Sequence, residues 1–239
     1  MSTQPKSTGR TKLLDTYRRE WPRVAAVQAM VLGGASILAG RRSLTNLRAL
    51  SVMNAMTMCV HQYEEYVDPG WFPGMINVGW FKSDKPYTYP FNTHSAMCAN
   101  ISFRALYVPA MLFPKVKWLG LPPVLLGIGQ AVAHGAIMPR VFHLKYPYTP
   151  GTLSSVLLHV PIGINYLSAL RAQGPIGRSN WIKSAVVLAL FFAIGVALPN
   201  VRGADKNSTY AFTDQQMGPY LAAAQAAATD SGDTSDPTE

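Results

Sequence analysis

Long apolar blocks that are almost empty of acids leave this chain few ways to fold. Its 12 acidic residues are Asp15 and Glu20 near the start, Glu64 and Glu65 side by side, Asp68 and Asp84 shortly after them, and Asp205, Asp214, Asp230, Asp233, Asp236 and Glu239 towards the end. Charged residues make up 14% of the 239, against roughly 25% in soluble domains. A membrane interior satisfies backbone polar groups only within helices or closed barrels, and blocks of this length suit helices. The expectation is an all-α fold, a polytopic transmembrane bundle of 5–6 helices.

Apolar blocks fall at 22–40, 44–66, 93–113, 117–138, 151–170 and 181–198. The first is short for a crossing of about 20 residues and is interrupted by Arg23 and Gln28. Counting Lys and Arg on each side gives the cleaner asymmetry when that block lies on the inner face, though six crossings stay open. Residues 1–20 read as a basic polar arm, 21–202 as the membrane domain, and 203–239 as a disordered acidic tail. Between blocks two and three lies a long segment, 67–92, rich in Trp, Phe, Tyr and Pro. Such rings favour the headgroup layer, and a connection this long often serves as a lid. Asn92 or Thr93 is the expected cap of the helix that follows. The net charge of +9 is dispersed between apolar blocks. It reads as anchoring to an anionic membrane surface, not as a nucleic-acid patch.

All five histidines, His61, His94, His134, His143 and His159, lie between the second block and the fifth. In an alternating bundle they fall on one side of the membrane, together with Glu64 and Glu65. Ionisable groups at that depth are costly and mark a site by default. His61, Glu64 and Glu65 stand at i, i+3 and i+4, one helical face. Metal ligation is assigned to His61, Glu64, Glu65, His94, His134 and His159, and catalysis to Glu64, Glu65 and His159. His143 reads as a loop residue. Di-iron bundles use Glu-x-x-His twice; here the order is reversed and occurs once. Imidazole with carboxylate suits iron or zinc, so one or two ions of either are expected.

Arg104 lies inside the third block, where it could snorkel, pair with a glutamate or hold an anionic head. Cys59 and Cys98 imply no disulfide framework, although Cys98 shares a helix face with His94. There is no phosphate loop, nucleophile elbow, zincin motif or dinucleotide fingerprint.

The run His61-Gln62-Tyr63-Glu64-Glu65 resembles the signature of the HXXEE-motif family of small integral-membrane proteins. Asn54, His94, His134-Gly135 and His159 support the resemblance, which would extend over roughly residues 25–200. It implies a membrane-embedded polar site and no particular reaction. The residues themselves suggest a metal-dependent enzyme acting on a lipophilic small molecule. Iron would bring oxidation with electrons from a donor protein, and zinc would bring hydrolysis. A metal-free isomerase or cyclase of terpenoid or sterol-like substrates, a proton- or metal-coupled transporter, and a subunit without chemistry are the other readings. A bacterial inner membrane is the expected location.

Overall fold

The computed structural model describes residues 9–38, 40, 44–144 and 148–230. Every regular element among them is helical. Helix α1 is Gly9–Leu38, α2 Leu47–Tyr66 and α3 the single turn Phe72–Gly74. Helices α4, Thr93–Ser102, and α5, Arg104–Leu112, follow in close succession. Three long helices come next: α6 Lys117–Val141, α7 Thr152–Ala172 and α8 Arg178–Gly203. The chain closes with the short α9, Asp214–Met217, and α10, Leu221–Asp230. Helices α1, α6, α7 and α8 are long and apolar enough to cross a membrane, α1 from Lys12. Their outer faces carry large exposed apolar side chains, among them Val31, Ile37, Val186, Leu190 and Ile194. Exposed apolar patches of this kind mark a face that meets lipid or protein.

Local chemistry sets the helix starts. The Asn46 side chain accepts from the Arg48 and Ala49 amides at 3.0 and 3.2 Å. Asn92 is the expected cap: it accepts from His94 and Ser95, while Ser95 Oγ accepts from the Asn92 amide. This reciprocal pair satisfies donors that a helix start leaves open.

Prolines shape the long helices. Wide turns, in which each N–H reaches back five residues, occupy Ala133–Ile137, Ser155–His159 and Phe191–Ala197. Each ends two residues before a proline, Pro139, Pro161 or Pro199. A proline ring lacks the N–H and crowds the carbonyl four residues back, so the ladder opens just ahead of it. His134 and His159 both lie in such turns.

The core has three parts. Leu47, Leu50, Leu121, Val124, Ile162 and Tyr166 join α2 to α6 and α7. Ala55, Met58, Leu106, Tyr107, Leu126 and Phe191 join α2 to α5, α6 and α8. Trp21, Tyr66, Phe91, Met97, Phe212 and Met217 form the third, at the end of α2.

Two expectations need correction. The tail is folded through Asp230; residues 231–239 lie outside the described residues. Phe212 and Met217 are buried, the Phe212 amide donates to Tyr87 O at 2.8 Å, and Gln216 Nε2 donates to Tyr66 O at 3.0 Å. Apolar anchors at the right spacing outweigh the polar composition around them. Nor is 1–20 a separate arm, because its described residues belong to α1, which runs along α2. Segment 67–92 is partly helical. Buried Asn77 donates to Pro86 O and Phe91 O, both at 2.7 Å, and accepts from the Phe91 amide at 3.2 Å.

Candidate metal centre

The last turns of α2, the middle of α6 and the start of α7 bring three buried histidines together. The His61 and His134 rings stand perpendicular with centroids 4.9 Å apart, and the His159 ring is 5.8 Å from that of His61. Glu65 Oε1 lies 3.5 Å from His61 Nε2 and 3.4 Å from His134 Nε2. One ligand atom from each of these three residues falls within 4.8 Å of the others.

The hydrogen bonds behind the rings fix which nitrogens carry protons. Glu64 Oε2, which only accepts, takes the Ser154 hydroxyl hydrogen at 2.5 Å. Ser154 Oγ is left to accept from His61 Nδ1, 3.0 Å away, and Ser155 Oγ, 3.2 Å from the same nitrogen, is a second acceptor for that proton. Thr149 Oγ1 gives its hydrogen to His134 O at 3.0 Å and stands 3.1 Å from His134 Nδ1, which therefore donates to it. His159 Nδ1 meets Asn54 Oδ1 at 2.8 Å. Each ring thus holds its proton on Nδ1 and offers a lone pair on Nε2. His61 Nε2 and His159 Nε2 are buried without a hydrogen-bond partner among the described residues. Two lone pairs and an anionic oxygen, spaced beyond the usual 2.7–3.2 Å or so of a hydrogen bond, are mutually stabilised by a proton or a cation among them. Protein groups that fix the far ring nitrogen are what metal-binding histidines require.

Room for the rings comes from glycine. Gly151 has φ +101°, and a Cβ there would lie 2.6 Å from His61 Cε1 and 2.8 Å from His134 Cε1. A Cβ on Gly127 would lie 2.4 Å from His159 Nδ1. Only glycine tolerates both that backbone conformation and that approach.

The six nominated ligands part company. Glu64 turns to the first turn of α7, accepting from the Leu153 amide at 3.0 Å, the Ser154 amide at 2.8 Å and Tyr148 Oη at 3.2 Å. A carboxylate there meets the open donors and positive end of the helix. It organises the site through Ser154 and does not face the other ligand atoms. Burial, and then the Glu64 charge, push the Tyr148 hydroxyl above its ordinary pKa, so Tyr148 keeps its hydrogen for that bond. His94 lies elsewhere, 3.9 Å from Cys98 Sγ and with its ring 5.3 Å from that of Tyr210. Six residues separate it from Asn100, whose carbonyl accepts from Gln62 Nε2. At about 100° per residue that offset carries His94 roughly 120° away round α4, off the face that meets α2. His143 sits in the connection after α6 with φ 50°.

Thr149, Ser154, Gly127 and Gly151 escaped sequence reasoning. Pro150-Gly151 is a turn signal, but nothing local says that the turn closes over two imidazoles. A cavity of about 680 Å³ opens beside Glu65 and His134, walled by Phe72, Phe81, Phe91 and Phe192. Three of those rings come from segment 67–92.

No curated protein and no solved structure matches the chain. The model of one family does, that described as a protein of unknown function with HXXEE motif, over residues 52–166. The matched stretch is narrower than the sequence suggested and leaves out α1 and α8, yet it holds all three histidines of the cluster and both glutamates. The expected family is the one that matches, and the signature His61 to Glu65 supplies two of the cluster's ligand atoms, His61 Nε2 and Glu65 Oε1.

Proposed function

We propose that this protein is a membrane-embedded, metal-dependent enzyme acting on a lipophilic small molecule. His61, His134 and Glu65 hold the ion, with His159 beside them as a further ligand. The observation that carries the reading is the convergence of Glu65 Oε1 with the two Nε2 atoms, whose ring protons are held on the far side. Two imidazoles and one carboxylate are the donor set of many non-haem iron oxygenases, which favours iron over zinc. Iron would serve oxidation: one atom of O₂ enters a C–H bond and the other leaves as water, with two electrons and two protons from a donor protein. Zinc would serve hydrolysis through activated water. The adjoining cavity falls within the roughly 300–1,000 Å³ usual for small-molecule sites, and its aromatic wall suits an apolar substrate. Helices α2 and the α4–α5 pair, added to the four long helices, bring the bundle to five or six crossings, in a bacterial inner membrane.

The test is the metal content of protein purified in detergent, with His61→Ala and Glu65→Ala as controls. Near-stoichiometric iron or zinc, lost in both variants, is expected. Protein that folds without metal, and takes up neither Fe(II) nor Zn(II) when supplied, would sink the reading. The bet would then move to acid–base isomerisation by Glu65, the carboxylate that lines the cavity.

A further inference from the structure

A second cavity, of about 350 Å³, lies between α1, α2 and α5. Helix α5 turns Arg104, Tyr107, Val108 and Met111 into it, the i, i+3, i+4, i+7 spacing of one helical face. Helix α2 contributes Ala55, Met58, Cys59 and Gln62 at the same spacing, and α1 contributes Val27, Gln28, Val31 and Leu32. The walls are mostly apolar. Val27, Val31 and Val108 are 54%, 66% and 42% exposed, so the mouth opens between α1 and α5 on the apolar exterior of the bundle.

Two polar groups around this space are underused. Arg104 donates to Gln28 Oε1 at 2.6 Å, and among the described residues no ion pair includes it. A guanidinium offers five donors, and a cation at membrane depth ordinarily finds an anion. Tyr107 is only 4% exposed, and its hydroxyl has no hydrogen-bond partner. It lies one turn from Arg104 and lines the same cavity. The hydroxyl oxygen is sealed within the wall, so a ligand in the cavity meets the Tyr107 ring, and Arg104 is the group left for a polar head.

We propose that this cavity binds a single-chain carboxylate amphiphile, its head held by Arg104 and its chain lying between α1 and α5 in contact with lipid. One guanidinium balances one negative charge, which favours a monoanionic carboxylate over a phosphate dianion. A volume near the lower end of small-molecule pockets favours one acyl chain over two. Glu65 and His134 line the other cavity, and only Asn100 and Phe103 border both. This site therefore stands whether or not the histidine cluster takes a metal.

Native mass spectrometry of the full chain in detergent, titrated with oleate, oleyl alcohol and phosphatidylglycerol, tests the proposal. Oleate should bind one to one, with oleyl alcohol and phosphatidylglycerol weaker by on the order of tenfold or more, as loss of a hydrogen bond to a charged group requires. Arg104→Gln should abolish the preference of oleate over the alcohol. Tyr107→Phe, which removes a hydroxyl that does not reach the cavity, should leave both affinities unchanged. Arg104→Lys, which keeps the charge without the planar fork, serves if Arg104→Gln does not fold, and should weaken oleate. Equal binding of oleate and oleyl alcohol, tighter binding of phosphatidylglycerol than of oleate, or oleate binding unchanged in the folded Arg104 variants would overturn it.

Discussion

Two histidine neighbourhoods occupy this molecule, one buried and one half-buried, and the sequence nominated ligands in both. Around His61, three helices meet, each ring is bound at Nδ1, and the Nε2 atoms of His61 and His134 look towards Glu65. Around His94, the ring lies against Tyr210 and Cys98 Sγ, with Arg18 and Arg19 over the tyrosine ring. What differs is direction round the helix and the sign of the neighbouring charge. A histidine beside two arginines makes a poor cation site, and one facing a glutamate makes a good one.

The sharpest attempt to break the comparison is removal of the shared oxygen. Glu65→Gln, followed by elemental analysis, should lose more than about 100-fold in metal affinity, whereas His94→Ala should keep wild-type stoichiometry. Retained metal in the first, or lost metal in the second, would reverse the ranking. Thr149→Val leaves the three ligand atoms in place and removes the acceptor of the His134 Nδ1 proton. Such supporting groups are worth about 10–100-fold in metal affinity, readable by competition with a chelator. Glu64→Ala acts mainly on the fold, because it strands buried backbone donors. A loss of about 1–3 kcal/mol, seen as a lowered melting temperature, is expected with metal still bound at saturation. The smallest effect belongs to His94→Ala, whose melting temperature should shift by the equivalent of about 1 kcal/mol or less. Acid sharpens the contrast further. Ligation needs neutral imidazoles, so metal should dissociate as pH falls, and a titration of bound metal against pH checks this.

Much of this was legible from the chain alone. The helical blocks, the cap at Asn92 and the family signature at His61 to Glu65 follow from local pattern. So does the common depth of His134 and His159. Rotation was not legible, because His94 and Asn100 sit on one helix and only Asn100 is turned towards α2. The division of labour between Glu64 and Glu65 was hidden as well, since adjacent residues on a helix diverge by about 100°, and Glu64 finds its partners on α7 while Glu65 meets His61 of its own helix and His134 of α6. The tail looked disordered because its acids were read together. Asp233, Asp236 and Glu239 lie outside the described residues, while Phe212 and Met217 carry the packing.

The chain of bonds from Glu64 through Ser154 to His61 has a kinetic consequence. Because a carboxylate cannot donate, the direction of every hydrogen along that chain is settled as the protein folds, before any ion arrives. A cation reaching the cluster finds lone pairs already facing it and has no ring to turn or tautomer to exchange. Loading should then run at the pace set by the ion's passage past the aromatic wall and the shedding of its water.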